Sequence, residues 1–378
     1  MSRRAISALF FLAGMCFASW AARIPDISLK LGLNEGQLGR LLLAVPVGCL
    51  VALPLAGWLV QRWGSRHVVL LGAGLYSLSL PLLGLAGQFW TLAPALALFG
   101  FASNLVNIAV NTQALGAQTH YGKPIMGSFH GLWSLAGFLS GLLATLLISR
   151  RVAPLPHFML VMGLGLLVAA VAHRYTLRHD TGREAGGRRL RRPDPVLLRI
   201  GLIAFCGMLC EGAMFDWAGI YFQRVIQPSP ALVTSGYVAC MSTMALGRFL
   251  ADALTYRFGP KRVLQLSSAL ISGGLALAVA LPYLGPALVG FLLVGFGIAS
   301  VVPLSYSAAG RVGSVAPGPA LALVSTIGFT GFLLGPPLIG LLAQAFSLRQ
   351  ALAVVAGVGA LIGLLAALPD PVARLQRV

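Results

Sequence analysis

The chain of 378 residues holds nine acidic side chains, and their positions decide where chemistry can happen. Asp26, Glu35, Asp180, Glu184, Asp194 and Asp370 fall in polar loops or near the ends of apolar runs, which leaves Glu211, Asp216 and Asp252 inside such runs. Glu211 stands within about 3 Å of the middle of a run from 197 to 222. An ionised carboxylate at that depth of a membrane costs on the order of 3 kcal/mol even on a lenient insertion scale. It must therefore face a cavity, pair with a partner, or hold a proton. Proton carriage is the functional reading of Glu211, and a neutral carboxyl bonded between helices is the structural alternative. Asp216 follows about 140° around the same helix, beside Trp217 and Tyr221, and is either a second proton-coupling, gating or substrate-contact group or a wetted interfacial residue with no transport role.

Asn104, Asn107 and Asn111 recur at i, i+3 and i+7, which confines them to about 60° of one helix face. Such a stripe can hydrogen-bond the hydroxyls of a substrate or merely neighbouring helices. His130 and Trp133 share a face of the next run, where an imidazole can titrate and an indole can stack on a ring, or both can simply pack. Arg248, about 7 Å to one side of the midplane, is the one basic residue near it, so a strongly anionic substrate is disfavoured and a neutral or weakly charged polar solute fits better.

The elements that must carry these residues are membrane spans. Hydrophobic residues make up 58% of the chain and charged ones only 10%, a balance that cannot build a water-soluble surface. A helix of about 20 residues crosses the bilayer core, and runs of that length are expected near 5–23, 36–60, 67–87, 91–115, 125–148 and 155–174, then near 197–222, 231–255, 263–284, 286–309, 318–345 and 350–368. Twelve spans result, an all-α membrane protein. With both termini in the cytoplasm, 19 of the 27 Lys and Arg residues lie on the cytoplasmic side, seven on the other, and Arg248 inside a helix. That is the positive-inside pattern of an inner-membrane protein, and it removes nucleic acid as the explanation of the +18 charge. The first run is expected to stay as an anchor, since no cleavage site follows a short apolar stretch.

The stretch 176–195 has no apolar periodicity and reads as a cytoplasmic linker between a first bundle at 1–175 and a second at 196–378. Sliding the halves by 195 residues aligns Arg62, Trp63, Gly64, Arg66 and Val68 with Arg257, Phe258, Gly259, Lys261 and Val263, and Gly100-Phe101 with Gly295-Phe296. A shift of 194 matches Gly137-Phe138-Leu139 and Gly141 with Gly331-Phe332-Leu333 and Gly335. Two like-oriented halves related by an axis along the membrane normal place a shared cavity near the midplane. The five cysteines all lie in apolar runs, as packing residues would. There is neither a phosphate-binding glycine loop nor zinc-ligand spacing, so no cofactor, no metal and no enzyme activity is expected.

The loop Gly57-Trp-Leu-Val-Gln-Arg-Trp-Gly-Ser-Arg66 resembles the signature loop of the major facilitator superfamily, and Asp252-Ala-Leu-Thr-Tyr-Arg-Phe-Gly-Pro-Lys-Arg262 resembles its second copy. The resemblance, with the repeat, covers nearly the whole chain and implies that Arg62, Gly64, Arg66, Arg248, Asp252, Arg257 and Gly259 latch one face of a transporter. Gln61 stands where the family pattern has Asp, which weakens the first latch. Glycine at the loop is expected to let two helices approach, and Arg248, one turn before Asp252, is expected to be its partner. The segments Trp20-Ala-Ala-Arg-Ile-Pro25, Asn107-Ile-Ala-Val-Asn-Thr-Gln113, Pro124-Ile-Met-Gly-Ser-Phe-His130 and Glu211-Gly-Ala-Met-Phe-Asp-Trp217 resemble the branch of MosC-like rhizopine-transport proteins and fucose-permease relatives.

These features predict a monomeric, proton-coupled secondary transporter that moves a small sugar- or inositol-like solute by alternating access within the lipid bilayer. Export of amphipathic compounds by proton antiport is the rival within the fold. A membrane sensor or interaction protein that does not transport is the rival from another class.

Overall fold

The computed structural model describes residues 2–121, 125–178, 194–312 and 317–368, with no description of the side chains at 317–319. The linker expected at 176–195 therefore lies mostly outside the described residues, as does Pro124. The first half contains α1 (Ser2–Lys30), α2 (Glu35–Leu42), α3 (Ala44–Trp63), α4 (Ser65–Leu85), α5 (Phe89–Tyr121), α6 (Met126–Ser149) and α7 (Pro154–His173). The second half contains α8 (Pro195–Tyr221), α9 (Ser235–Phe258), α10 (Pro260–Ala280), α11 (Leu284–Ala309), α12 (Pro317–Ala345) and α13 (Leu348–Ala367). Helices α2 and α3 form one span, so the described residues make up twelve. By length and apolarity eleven of these qualify unaided as membrane-crossing. The twelfth is α9, which carries Arg248, Asp252 and Arg257.

Local chemistry sets the boundaries. Asn34 opens α2 with a capping box: its side chain accepts from the backbone N–H of Gln37 at 2.8 Å, and its own N–H donates to Gln37 Oε1 at 3.0 Å. The span then breaks at Leu43 because Pro46 has no N–H to return to the preceding turn. Helix α1 runs seven residues past its expected end at 23, so Asp26, expected in a loop, is helical. Arg23, at the expected end of the span, is only 1% exposed, and an ion pair with Asp26 at 2.5 Å makes its burial tolerable. Helix α8 continues into a π-helical turn, Phe222–Ile226, stopped by Gln227 at φ +51°.

The internal repeat survives in three dimensions. Gly64 and Gly259, 195 residues apart, adopt φ +78° and +79° with ψ 150° and 154°. That region of backbone space is essentially open to glycine alone. A Cβ at either position would meet nothing within 4 Å, which corrects the expectation that these glycines serve helix approach: the loop needs their dihedrals. Close approach is instead the task of Gly100 and Gly295. A Cβ there would sit 2.2 Å from the carbonyl oxygen of Val45 and 2.0 Å from that of Cys240, partners that are themselves 195 residues apart.

The two halves meet firmly at the end that carries Glu35. Helix α2 packs on α12 with Gly39 against Gly340, and α6 packs on α9, where the hydroxyls of Thr145 and Thr234 lie 2.7 Å apart. Arg224, in the turn after α8, reaches across to Glu35 at 2.6 Å, to Ser28 Oγ at 3.0 Å and to the carbonyl of Leu33. Its neighbour Gln223 donates to the carbonyl of Pro25 at 3.1 Å. Toward the opposite, Trp63 end the span leaves α12. Helix α3 buries only a stripe, Pro46, Gly48, Cys49, Ala52, Ala56 and Leu59, and leaves Val47, Leu50, Leu55 and Trp58 exposed.

Candidate functional site between the two bundles

Glu211 is held in the interior of α8, 6% exposed, by a helix buried on nearly every face. Arg248 comes from α9, and its Nη2 donates to Glu211 Oε1 at 2.8 Å. Its Nη1 donates to Ser134 Oγ on α6, and the guanidinium carbon lies 5.9 Å from the ring centre of Trp133, also on α6. One side chain of the second half thus holds an acid of its own half and a hydroxyl and an indole of the other.

The partner of Arg248 corrects the sequence expectation, which paired it with Asp252. Asp252 is exposed at the surface of α9 and forms no ion pair among the described residues. A hydrated carboxylate gains little from a guanidinium, whereas the buried carboxylate of Glu211 has lost its water and needs the charge and the donors. The repeat has no copy of this pair: subtracting 195 places Glu211 on Cys16 and Arg248 on Leu53.

An aromatic layer adjoins the pair. Phe17 of α1 packs edge-on to Phe215 of α8 at 5.0 Å and lies 6.0 Å from Trp133 and 6.1 Å from Phe332 of α12. Trp133 and Phe215 are edge-on at 5.6 Å, and Phe215 and Phe332 lie 6.1 Å apart. Four helices, two from each half, therefore close the axis with rings whose edge-to-face contacts suit their quadrupoles. Sequence reasoning found Trp133 but missed Phe17, Phe215, Phe332 and Ser134, because phenylalanine and serine in an apolar run give no signal of which face they take.

The other expected site residues separate. Asn104 is 3% exposed and spends its amide on the carbonyl of Cys49 at 2.8 Å, joining α5 to α3. The expected stripe of three thus becomes one helix-joining amide and two others. Asn107 is exposed, and its side-chain oxygen accepts from Asn111 at 2.9 Å. His130 lies edge-on to Phe10 at 5.2 Å. Asp216 is half-buried, one residue after Phe215, and makes no ion pair among the described residues. Arg62 and Arg257 rest over the rings of Trp58 and Phe258 in their own halves, at 5.2 Å and 5.4 Å, and do not cross the axis. Among the described residues the arginine contacts between halves come from Arg248, through Ser134, and from Arg224, which the sequence reading did not single out. No cluster of three or more metal-binding side chains occurs among the described residues.

The model of the Major Facilitator Superfamily matches residues 6–314 and 232–378, which together span almost the entire chain. The chain belongs to the Major Facilitator Superfamily. It is a multi-pass membrane transporter and not an enzyme. An uncharacterised MFS-type transporter of Yersinia pestis is 35% identical over 92% of this chain and 90% of its own length. Membrane protein MosC of Rhizobium meliloti is 31% identical over 95% of this chain and 88% of its own, which supports the branch resemblance seen in the sequence. Among solved structures the fold is shared with the nucleoside transporter NupG at a TM-score of 0.73 and 12% identity, covering 96% of this chain and 97% of that one. Superfamily membership explains why Gly64 and Gly259 recur with one geometry: each half rebuilds the same six-span unit.

Proposed function

We propose that this chain is a secondary active transporter that moves a small, polar, neutral or weakly charged solute of sugar or inositol type across the inner membrane. Two bundles, 1–175 and 196–378, rock about a midplane site and are joined by the cytoplasmic stretch 176–195. The observation that carries the reading is the bridge from Arg248 to both Glu211 and Ser134, a charge-neutral contact placed where the halves must slide. A proton delivered to Glu211 removes the charge that holds Arg248, and this couples proton entry to a change in the contact between halves. The match of Arg248 by Glu211 takes up the positive charge at this site, which disfavours an anionic solute. The rings of Trp133 and Phe332 offer apolar faces to a sugar ring, while Asn107, Asn111 and His130 supply donors and acceptors.

With the termini cytoplasmic, the tight Glu35 end is the outer gate and the Trp63 end opens to the cytoplasm. The aromatic layer also supports export of amphipathic compounds by proton antiport. Flux of candidate sugars, inositols and amphipathic drugs into and out of proteoliposomes, with and without a pH gradient, separates the two. Uptake that ignores the gradient would sink the proton-coupled reading.

A further inference from the structure

We propose that the groove between α1 and α7 at the Trp63 end of the bundle binds one anionic glycerophospholipid of the adjoining leaflet. The groove encloses about 420 Å³ and is lined by Arg4 and Ala8 of α1, by Leu167, Val168 and Val171 of α7, and by Tyr175 just beyond it. Ala5 and Ala8 of α1 form its floor, and their small side chains leave the slot open. Its far wall is an outward stripe at i, i+4 and i+8, in which Leu167, Val171 and Tyr175 are 61%, 53% and 47% exposed.

Length and charge together select the occupant. From Leu167 to the end of α7 at His173 the helical rise is about 9 Å, and Tyr175 extends the wall further, within the roughly 15 Å depth of one leaflet. The slot therefore takes an acyl chain along its length and sets the headgroup beside Arg4 and the Tyr175 ring. Arg4 is exposed and forms no hydrogen bond or ion pair among the described residues. Its neighbour Arg3, by contrast, stacks over the Tyr121 ring at 5.0 Å. A free guanidinium at the interface presents paired donors to a phosphate oxygen, and Arg174 caps α7 one residue before Tyr175, adding cationic charge at that end. A packed helix from another protein would fill the apolar slot but leave Arg4 unmatched.

Native mass spectrometry of the purified full chain, with phosphatidylglycerol and phosphatidylcholine supplied in equal amounts, tests the site. The wild type is expected to retain phosphatidylglycerol preferentially by about fivefold, the effect of one basic residue near an anionic headgroup. Arg4→Ala should remove most of that preference, Arg3→Ala should keep it, and Ala8→Trp, which fills the slot, should reduce retention of both lipids. Melting temperatures confirm that the variants are folded. Equal retention of the two lipids by the wild type overturns the proposal, as does an unchanged preference in Arg4→Ala. Displacement of the lipid by inorganic phosphate also overturns it, because the site would then be one for free phosphate.

Discussion

Arg248 and Glu211 lie 2.8 Å apart, with side chains 14% and 7% exposed, and so form an ion pair that water scarcely reaches. Such a pair is poor evidence for stability, since desolvation of both charges offsets their attraction. Its position is more informative. Nothing in the other half repeats it, and Arg248 also touches that half through Ser134.

Removing one charge should therefore hurt more than removing both. Glu211→Leu or Arg248→Met alone leaves a buried charge without its partner and should cost about 3–5 kcal/mol. The double variant should recover most of that loss in thermal melts in detergent, yet show no transport driven by a pH gradient. A double variant as unstable as the worse single would mean the two residues do not act as a pair.

At the closed end, Arg224→Ala should open the gate more than Glu35→Gln. The Arg224–Glu35 pair is a quarter to a third exposed and is worth at most about 1 kcal/mol. Arg224 also donates to Ser28 and to the carbonyl of Leu33, charge-assisted bonds worth about 1.5–3 kcal/mol each. Spin labels at Leu31 and Gln227, read by double electron–electron resonance, should show a longer-distance population that is largest for Arg224→Ala. Equal distributions in the two variants would count against this ranking.

Alanine at Gly64 or Gly259 should cost about 1–3 kcal/mol through backbone strain alone, since the added Cβ meets nothing. The same change at Gly74, inside α4 and equally open, should instead raise the melting temperature, by helix propensity worth about 1 kcal/mol. The two classes diverge in one melting experiment.

The amides should divide in the same way. Asn104→Ala removes the bond to Cys49 between α5 and α3 and should lower stability by about 1 kcal/mol, with solute binding retained. Asn107→Ala, at an exposed position, should leave the melting temperature of the free protein unchanged and cancel the rise that a bound solute produces. A ligand-induced shift that persists in Asn107→Ala would remove this residue from the binding site.

Much of this molecule was legible in the sequence. Apolar runs set the spans because a helix in lipid must satisfy its own backbone and bury no unpaired charge. The 195-residue register carried over to the dihedrals of Gly64 and Gly259 and to the carbonyl contacts of Gly100 and Gly295, because repeats that pack alike need glycine at the same points. The depth of Glu211 in its run already required a cavity, a partner or a proton.

Tertiary structure alone decided the partner. Along α9 the nearest acid to Arg248 is Asp252, one turn away, and helical periodicity cannot tell which face of that turn water reaches. The packing of α8, α9 and α6 buried Glu211 and Ser134 around the guanidinium and left Asp252 outside. The same packing made Arg23 an interior residue and joined Arg224 to the other half. Charges in a sequence carry no record of which ones lose their water, because desolvation depends on neighbours far away along the chain.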